Sequence, residues 1–192
     1  MSSSNTELRS TDDAILDAAA ELIVHLGVPR TQLAEIARRA GVSRPTVYRR
    51  WSDVRAVISA LLTREVLGAA QALGPTGDDR ESLVAGMVEV AAQVRDHPVL
   101  SALLLSDPQI FREYVIERLG TSQRGLLDAL ADGIARGQRH GSIRDGRPTE
   151  MAVMVLLIAQ STVQSYRMVA ELLPEPAWRR ELTHALNGYL AP

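Results

Sequence analysis

The chain has 192 residues, 46% of them hydrophobic and 23% charged, a balance that excludes a disordered polymer and leaves enough chain to bury the core of one or two domains. It contains no cysteine, which removes disulfides and thiol chemistry and suits a reducing cytosol. Its net charge of −2 hides an asymmetry: residues 30–55 carry seven arginines against Glu35 and Asp53, whereas residues 65–192 carry twelve arginines against sixteen acids, so a basic N-terminal patch precedes an acidic remainder and two jobs are expected. All 21 basic residues are arginine, which reads mainly as coding bias.

Residues 1–10, MSSSNTELRS, read as a polar tail without the apolar run of a signal peptide. Ser10 or Thr11 then caps a helix with Asp12 and Asp13 in its first turn and Ile15, Ala18, Ala19, Leu22, Ile23 and Leu26 at helical spacing. Gly27 and Pro29 end it. Thr31 is expected to cap a short helix over Gln32–Arg39, and Ser43 a third, with Pro45 tolerated in its first turn. Ser52 and Asp53 start a longer helix to about Leu73, before the linker GPTGDD at 74–79.

The rest also reads as helix: 80–95, then a region from Pro108 toward His140 interrupted near 120–122, with His97-Pro98 and Asp107-Pro108 as punctuation. A loop at 141–148 leads to helices over Thr149–Leu173 and Ala177–Leu190. No segment alternates with period two, so the expected fold class is all-α: an N-terminal three-helix domain followed by a helical bundle. The expected divisions are a tail over 1–10, a first domain over 11–53, a connecting helix over 54–73 and a second domain over 80–192. The longest apolar run, Ala152–Ala159, is too short to span a bilayer.

The stretch AEIARRAGVSRPTVYRRW, Ala34–Trp51, sets five arginines around a small apolar frame. Ala37 permits close helix approach, Gly41 can take positive φ, and Val47 plugs the angle, which is the spacing of a helix-turn-helix. On a helix from Arg44, Val47 and Trp51 fall on one side and Pro45 and Arg49 opposite, leaving guanidinium, phenol and hydroxyl groups for a DNA groove.

Residues 11–66, with ILDAAAELIVHLG followed by TQLAEIARRAGVSRPTVYRRW, resemble the DNA-binding domain of the tetracycline-repressor (TetR) family of transcriptional regulators. The resemblance implies a third helix in the major groove, with base-edge roles for Arg44 and Pro45, and phosphate or mixed contacts for Thr46, Tyr48, Arg49 and Arg50. It places a phosphate on Thr31 and adds Ser43 and Arg55 to the expected DNA-binding set. Two positions depart from the family pattern. Ala34 stands where a polar residue is frequent, and Val54-Arg55 where a lysine is common, so Arg55 would reach the backbone from a shifted angle. Trp51 reads as core.

The resemblance further implies a homodimer on an inverted-repeat double-stranded operator, built on the last two long helices. The apolar run of MAVMVLLIAQSTVQSYRM, residues 151–168, agrees with such an interface. A small-molecule effector is expected among the helices between Arg80 and Gln164. Met87, Phe111, Tyr114, Met151 and Met154 are its candidate lining residues, and Gln160 and Gln164 its polar contacts. The expected function is a ligand-released repressor in the cytoplasm. The alternatives are a constitutive DNA-binding dimer and a helical protein-interaction module. The four scattered histidines form no catalytic or metal-binding pattern, so no enzyme, cofactor or metal is expected, and His97 and His184 read as loop or surface residues.

Overall fold

A computed structural model describes residues 10–72, 77–106 and 121–192. It is all-α, with no strand among the described residues. The helices are α1 (Thr11–Leu26), α2 (Leu33–Arg39), α3 (Arg44–Arg50), α4 (Val54–Ala72), α5 (Arg80–Asp96), α6 (Pro98–Ser106), α7 (Thr121–Arg139), α8 (Pro148–Val169) and α9 (Glu175–Leu190), with a 3-10 turn at Val28–Arg30. Two compact units emerge. Residues 10–62 fall in the first together with 101–106, and residues 63–100 and 121–192 in the second, so α4 contributes to both.

In the first unit α1 packs on α2 and α2 on α3. Ile15, Ala19, Ile23, Ile36 and Val47 are fully buried there, one face of each helix supplying the core. Ser10 caps α1, its hydroxyl oxygen accepting from the Asp13 amide at 3.1 Å. Gly27, at φ 75°, ends α1 and returns its amide to the Ile23 carbonyl at 3.0 Å. Thr31 differs from expectation. Gln32 occupies the cap position of α2, while the Thr31 hydroxyl donates to the Gly27 carbonyl at 2.9 Å and closes the preceding 3-10 turn. Its side chain is buried, because a hydroxyl with a carbonyl partner can leave water without a large penalty.

The second unit is built on α5, α7, α8 and α9, which pack on one another around Val84, Ala92, Ile134, Ala152, Val155, Leu186 and Leu190. Asp79 caps α5, its carboxylate accepting from the Ser82 amide at 2.7 Å. The helix over Pro98–Ser106 was not expected between the two proline dipeptides. His97 ends α5 in extended conformation and Pro98 begins α6, where its missing N–H is no loss. His97 is half-buried instead of lying on a surface loop: its Nε2 stands 3.1 Å from Glu65 Oε2 on α4. The Arg95 guanidinium lies over the rings of Tyr166, at 4.4 Å, and Trp178, at 4.5 Å, so α5, α8 and α9 meet around a cation held between two aromatic rings.

Arg179 of α9 donates to Glu89 of α5 at 2.6 Å and also pairs with Glu175. The hydrogen bond from Arg179, aided by one from Gln93, holds the Glu89 carboxyl below its ordinary 4.5. A lowered folded-state pKa means that the stabilisation is complete above the unfolded value and is lost as pH falls through the folded one. Glu89→Gln should therefore melt below the wild type at neutral pH, with the gap closing in acid. The effect will be small because both side chains are over a third exposed. Thermal unfolding across an acid pH series checks it.

Candidate nucleic-acid interface

The corner between α2 and α3 follows from its own sequence. The Gly41 amide donates to the Arg38 carbonyl at 3.3 Å and the Val42 amide to the Ala37 carbonyl at 3.0 Å, the paired bonds of a Schellman ending. That ending requires a left-handed residue, and Gly41 supplies it at φ 68°. Ala37 and Val47 are buried in the corner.

Ser43 then starts α3. Its hydroxyl oxygen accepts from the Thr46 amide at 3.3 Å and lies 2.7 Å from Thr46 Oγ1, with Pro45 in the first turn. Because α3 has only seven residues, this cap secures a large share of it. Ser43→Ala should cost about 1 kcal/mol. Chemical denaturation reads that loss.

With Val47 turned inward, Arg44, Pro45, Tyr48 and Arg49 are exposed on α3 and Thr46 is half-buried. Tyr48 shows 54% of its surface, a large amount for an aromatic residue in a folded unit. Trp51, expected in the core, is half-buried, and its amide caps α3 by donating to the Val47 carbonyl at 3.0 Å. Arg55 is exposed near the start of α4, whose first turn is capped by Asp53 accepting from the Ala56 amide at 2.8 Å. Ala34 is half-buried.

The arginines divide into two groups. Arg30, Arg44 and Arg49 have no ion pair or hydrogen bond among the described residues. Arg38 donates to Glu35 within α2 at 2.9 Å, and this bond holds the Glu35 carboxyl below its usual range. Arg39 reaches Glu21 of α1 at 2.6 Å. Arg50 pairs with Asp12 of α1, and its Nη1 also lies 3.4 Å from the Thr46 carbonyl. Sequence reasoning missed Asp12 and Glu21, because nothing in local spacing signals an ion pair between α1 and a later helix.

The expected effector residues that the structure describes take several places. Met87 and Met151 are buried in the core of the second unit, and Met154 is 43% exposed on α8. Gln160 accepts from Gln123 at 2.8 Å, and the half-buried Gln164 has a buried amide nitrogen without a partner among the described residues. Phe111 and Tyr114 lie outside the described residues. A cleft of about 260 Å³ is lined instead by Glu65, Val66, Ala69, Val94, His97 and Leu100, together with Gly68 and Gln93, on α4, α5 and α6.

Residues 15–61 match the family model of bacterial regulatory proteins, tetR family. The chain is 47% identical over 190 residues to the uncharacterised HTH-type transcriptional regulator Rv2250c of Mycobacterium tuberculosis, covering 99% of this chain and 100% of that one. The transcriptional repressor QsdR of R. erythropolis has a similar fold, with a TM-score of 0.67 at 18% identity over 94% of each chain. So does the regulator FadR of Bacillus subtilis, solved in complex with stearoyl-CoA, with a TM-score of 0.66 at 19% identity over 92% of this chain and 98% of that one.

Proposed function

The chain belongs to the TetR family of HTH-type transcriptional regulators, and from that premise we propose that it is a homodimeric repressor released from a palindromic operator by a small, largely apolar effector. The observation that carries the DNA-binding part is the outward face of α3. Arg44, Pro45, Tyr48 and Arg49 stand exposed together on a helix fixed by the Gly41 corner and the Ser43 cap. Arg44 would fork onto a guanine edge and Pro45 meet a thymine methyl, while Tyr48, Arg49 and whichever of the paired Ser43 and Thr46 hydroxyls keeps its proton free would hold phosphates. Arg30 and Arg55 are exposed near the same helices and would extend the backbone contact. Thr31 is left out of this set, since its only proton is used by the Gly27 carbonyl.

The dimer reading rests on α8. Val153, Met154, Leu157 and Met168 are exposed, and Leu172 just beyond the helix is exposed too. Met154, Leu157 and Met168 recur at helical spacing on one side, a pattern suited to a self-complementary contact. Met154 fits this face better than a pocket. A two-fold pair of α3 helices would enter successive major grooves about 34–36 Å apart.

For the effector, the cleft beside Glu65 and His97 is one candidate space among the described residues, and its Val66, Ala69, Val94 and Leu100 walls favour an apolar molecule. It borders α4, the helix that has residues in both units. A ligand that binds the DNA-incompetent arrangement better would lower operator affinity roughly 5–150-fold.

The experiment is selection from random-sequence duplex by the full-length protein, followed by footprinting. A two-fold symmetric protected site bound by a dimer is expected. A monomer that enriches no sequence overturns the reading.

A further inference from the structure

Three arginines of the helix-turn-helix are neutralised from inside the first unit, and two of the acids responsible lie on α1, a helix that presents no residue to DNA in the reading above. The Arg50–Asp12 pair differs from the other two in position. Arg50 is in the last turn of α3 itself, beside Arg49, and would otherwise be free to reach a phosphate. Its guanidinium instead lies back, with Nε on the Asp12 carboxylate and Nη1 3.4 Å from the Thr46 carbonyl one turn earlier. Only 31% of the Arg50 side chain is exposed, so the pair is partly shielded from solvent, and Asp12 is fixed in the first turn of a capped helix.

Resting on the DNA-binding reading above, we propose that Asp12 is a positioning residue that limits the salt-dependent grip on the DNA backbone by withholding Arg50 from it. Binding to random duplex comes almost wholly from cations replacing condensed counterions, so each arginine held back weakens it. Binding to the operator also draws on base-edge contacts from α3, which Asp12 does not touch. Sequestering one cation per protomer therefore lowers affinity for every duplex by a similar factor and makes it less steeply dependent on salt.

The test uses the full-length protein, the duplex it selects and a random-sequence duplex of equal length, titrated from 50 to 200 mM salt. Asp12→Asn should tighten random-duplex binding at the low-salt end and steepen its log–log salt slope by about 0.9 per protomer, about 1.8 for a dimer. Over that salt range the added slope is an extra loss of about 12-fold. Affinity for the selected duplex should rise by a similar factor. Adding Arg50→Gln to Asp12→Asn should remove the added slope, and Asp12→Glu should retain the wild-type slope. An unchanged slope in Asp12→Asn with the fold intact would overturn the proposal. So would a gain that survives Arg50→Gln, since the field of the carboxylate and not its hold on Arg50 would then be responsible. If Asp12→Asn unfolds, a slope in Asp12→Glu as steep as that of an Asp12→Ser variant would overturn it equally. Failure of the wild type to select any sequence would sink the repressor reading, while the random-duplex slopes would still decide the role of Asp12.

Discussion

Leu157→Arg should convert the protein from a dimer to a monomer and remove most of its operator affinity. Leu157 is half exposed in the single chain, next to Val153 and Met154 on the outer side of α8, so an arginine there disturbs no packing within the protomer. Across a two-fold axis the same substitution would place two guanidinium groups on one apolar contact, where each would have to lose water. A monomer also loses the linkage of two half-site contacts, which is worth about 10²–10⁴-fold in apparent affinity. Sedimentation at micromolar protein reads the first effect and operator titration the second. A protein that stays dimeric with arginine at 157 would move the interface away from this face of α8.

Arg44→Ala and Arg49→Ala should fail in different ways. Arg44 is the first residue of α3, exposed and without an intramolecular partner among the described residues, a place from which a side chain would enter the groove in the proposed complex. Its loss should cost about 1–3 kcal/mol and relax preference at one base position. Arg49, in the last turn, should act on phosphate: its removal should weaken every duplex similarly and reduce the salt slope by about one charge. Titrations against base-substituted duplexes at several salt concentrations separate the two. Equal loss on every sequence for Arg44→Ala would contradict its base-reading role.

The helix-turn-helix was legible because its determinants are local. A glycine at the one left-handed position, a serine before a helix and an alanine–valine pair in the corner each act within a few residues, and Gly41, Ser43, Ala37 and Val47 do what those residue types must. The Thr31 cap failed for an equally local reason: Gly27 offers its carbonyl four residues earlier, and the hydroxyl takes it. The α6 helix was lost because two proline dipeptides read as breaks, although proline is as comfortable opening a helix as ending one. The effector candidates were chosen by residue type. Methionine serves a core as readily as a pocket, and Met87 and Met151 lie in the core, so residue type alone does not mark an effector site. Glu65 and His97 lie 32 positions apart, and only the packing of α4 against the end of α5 brings them to 3.1 Å.

The ion pairs that run back to α1 bear on how recognition helices are exchanged between regulators. A segment spanning residues 31–51 looks self-contained, with its own corner, cap and outward-facing side chains. Transplanted into another scaffold, it would arrive with Arg39 and Arg50 but without Glu21 and Asp12. The chimera would gain two unclaimed cations per protomer and bind every duplex more tightly and with a steeper salt dependence than its parent. A graft that keeps the parent's affinity and salt dependence would have to begin at Ser10 and carry α1 along.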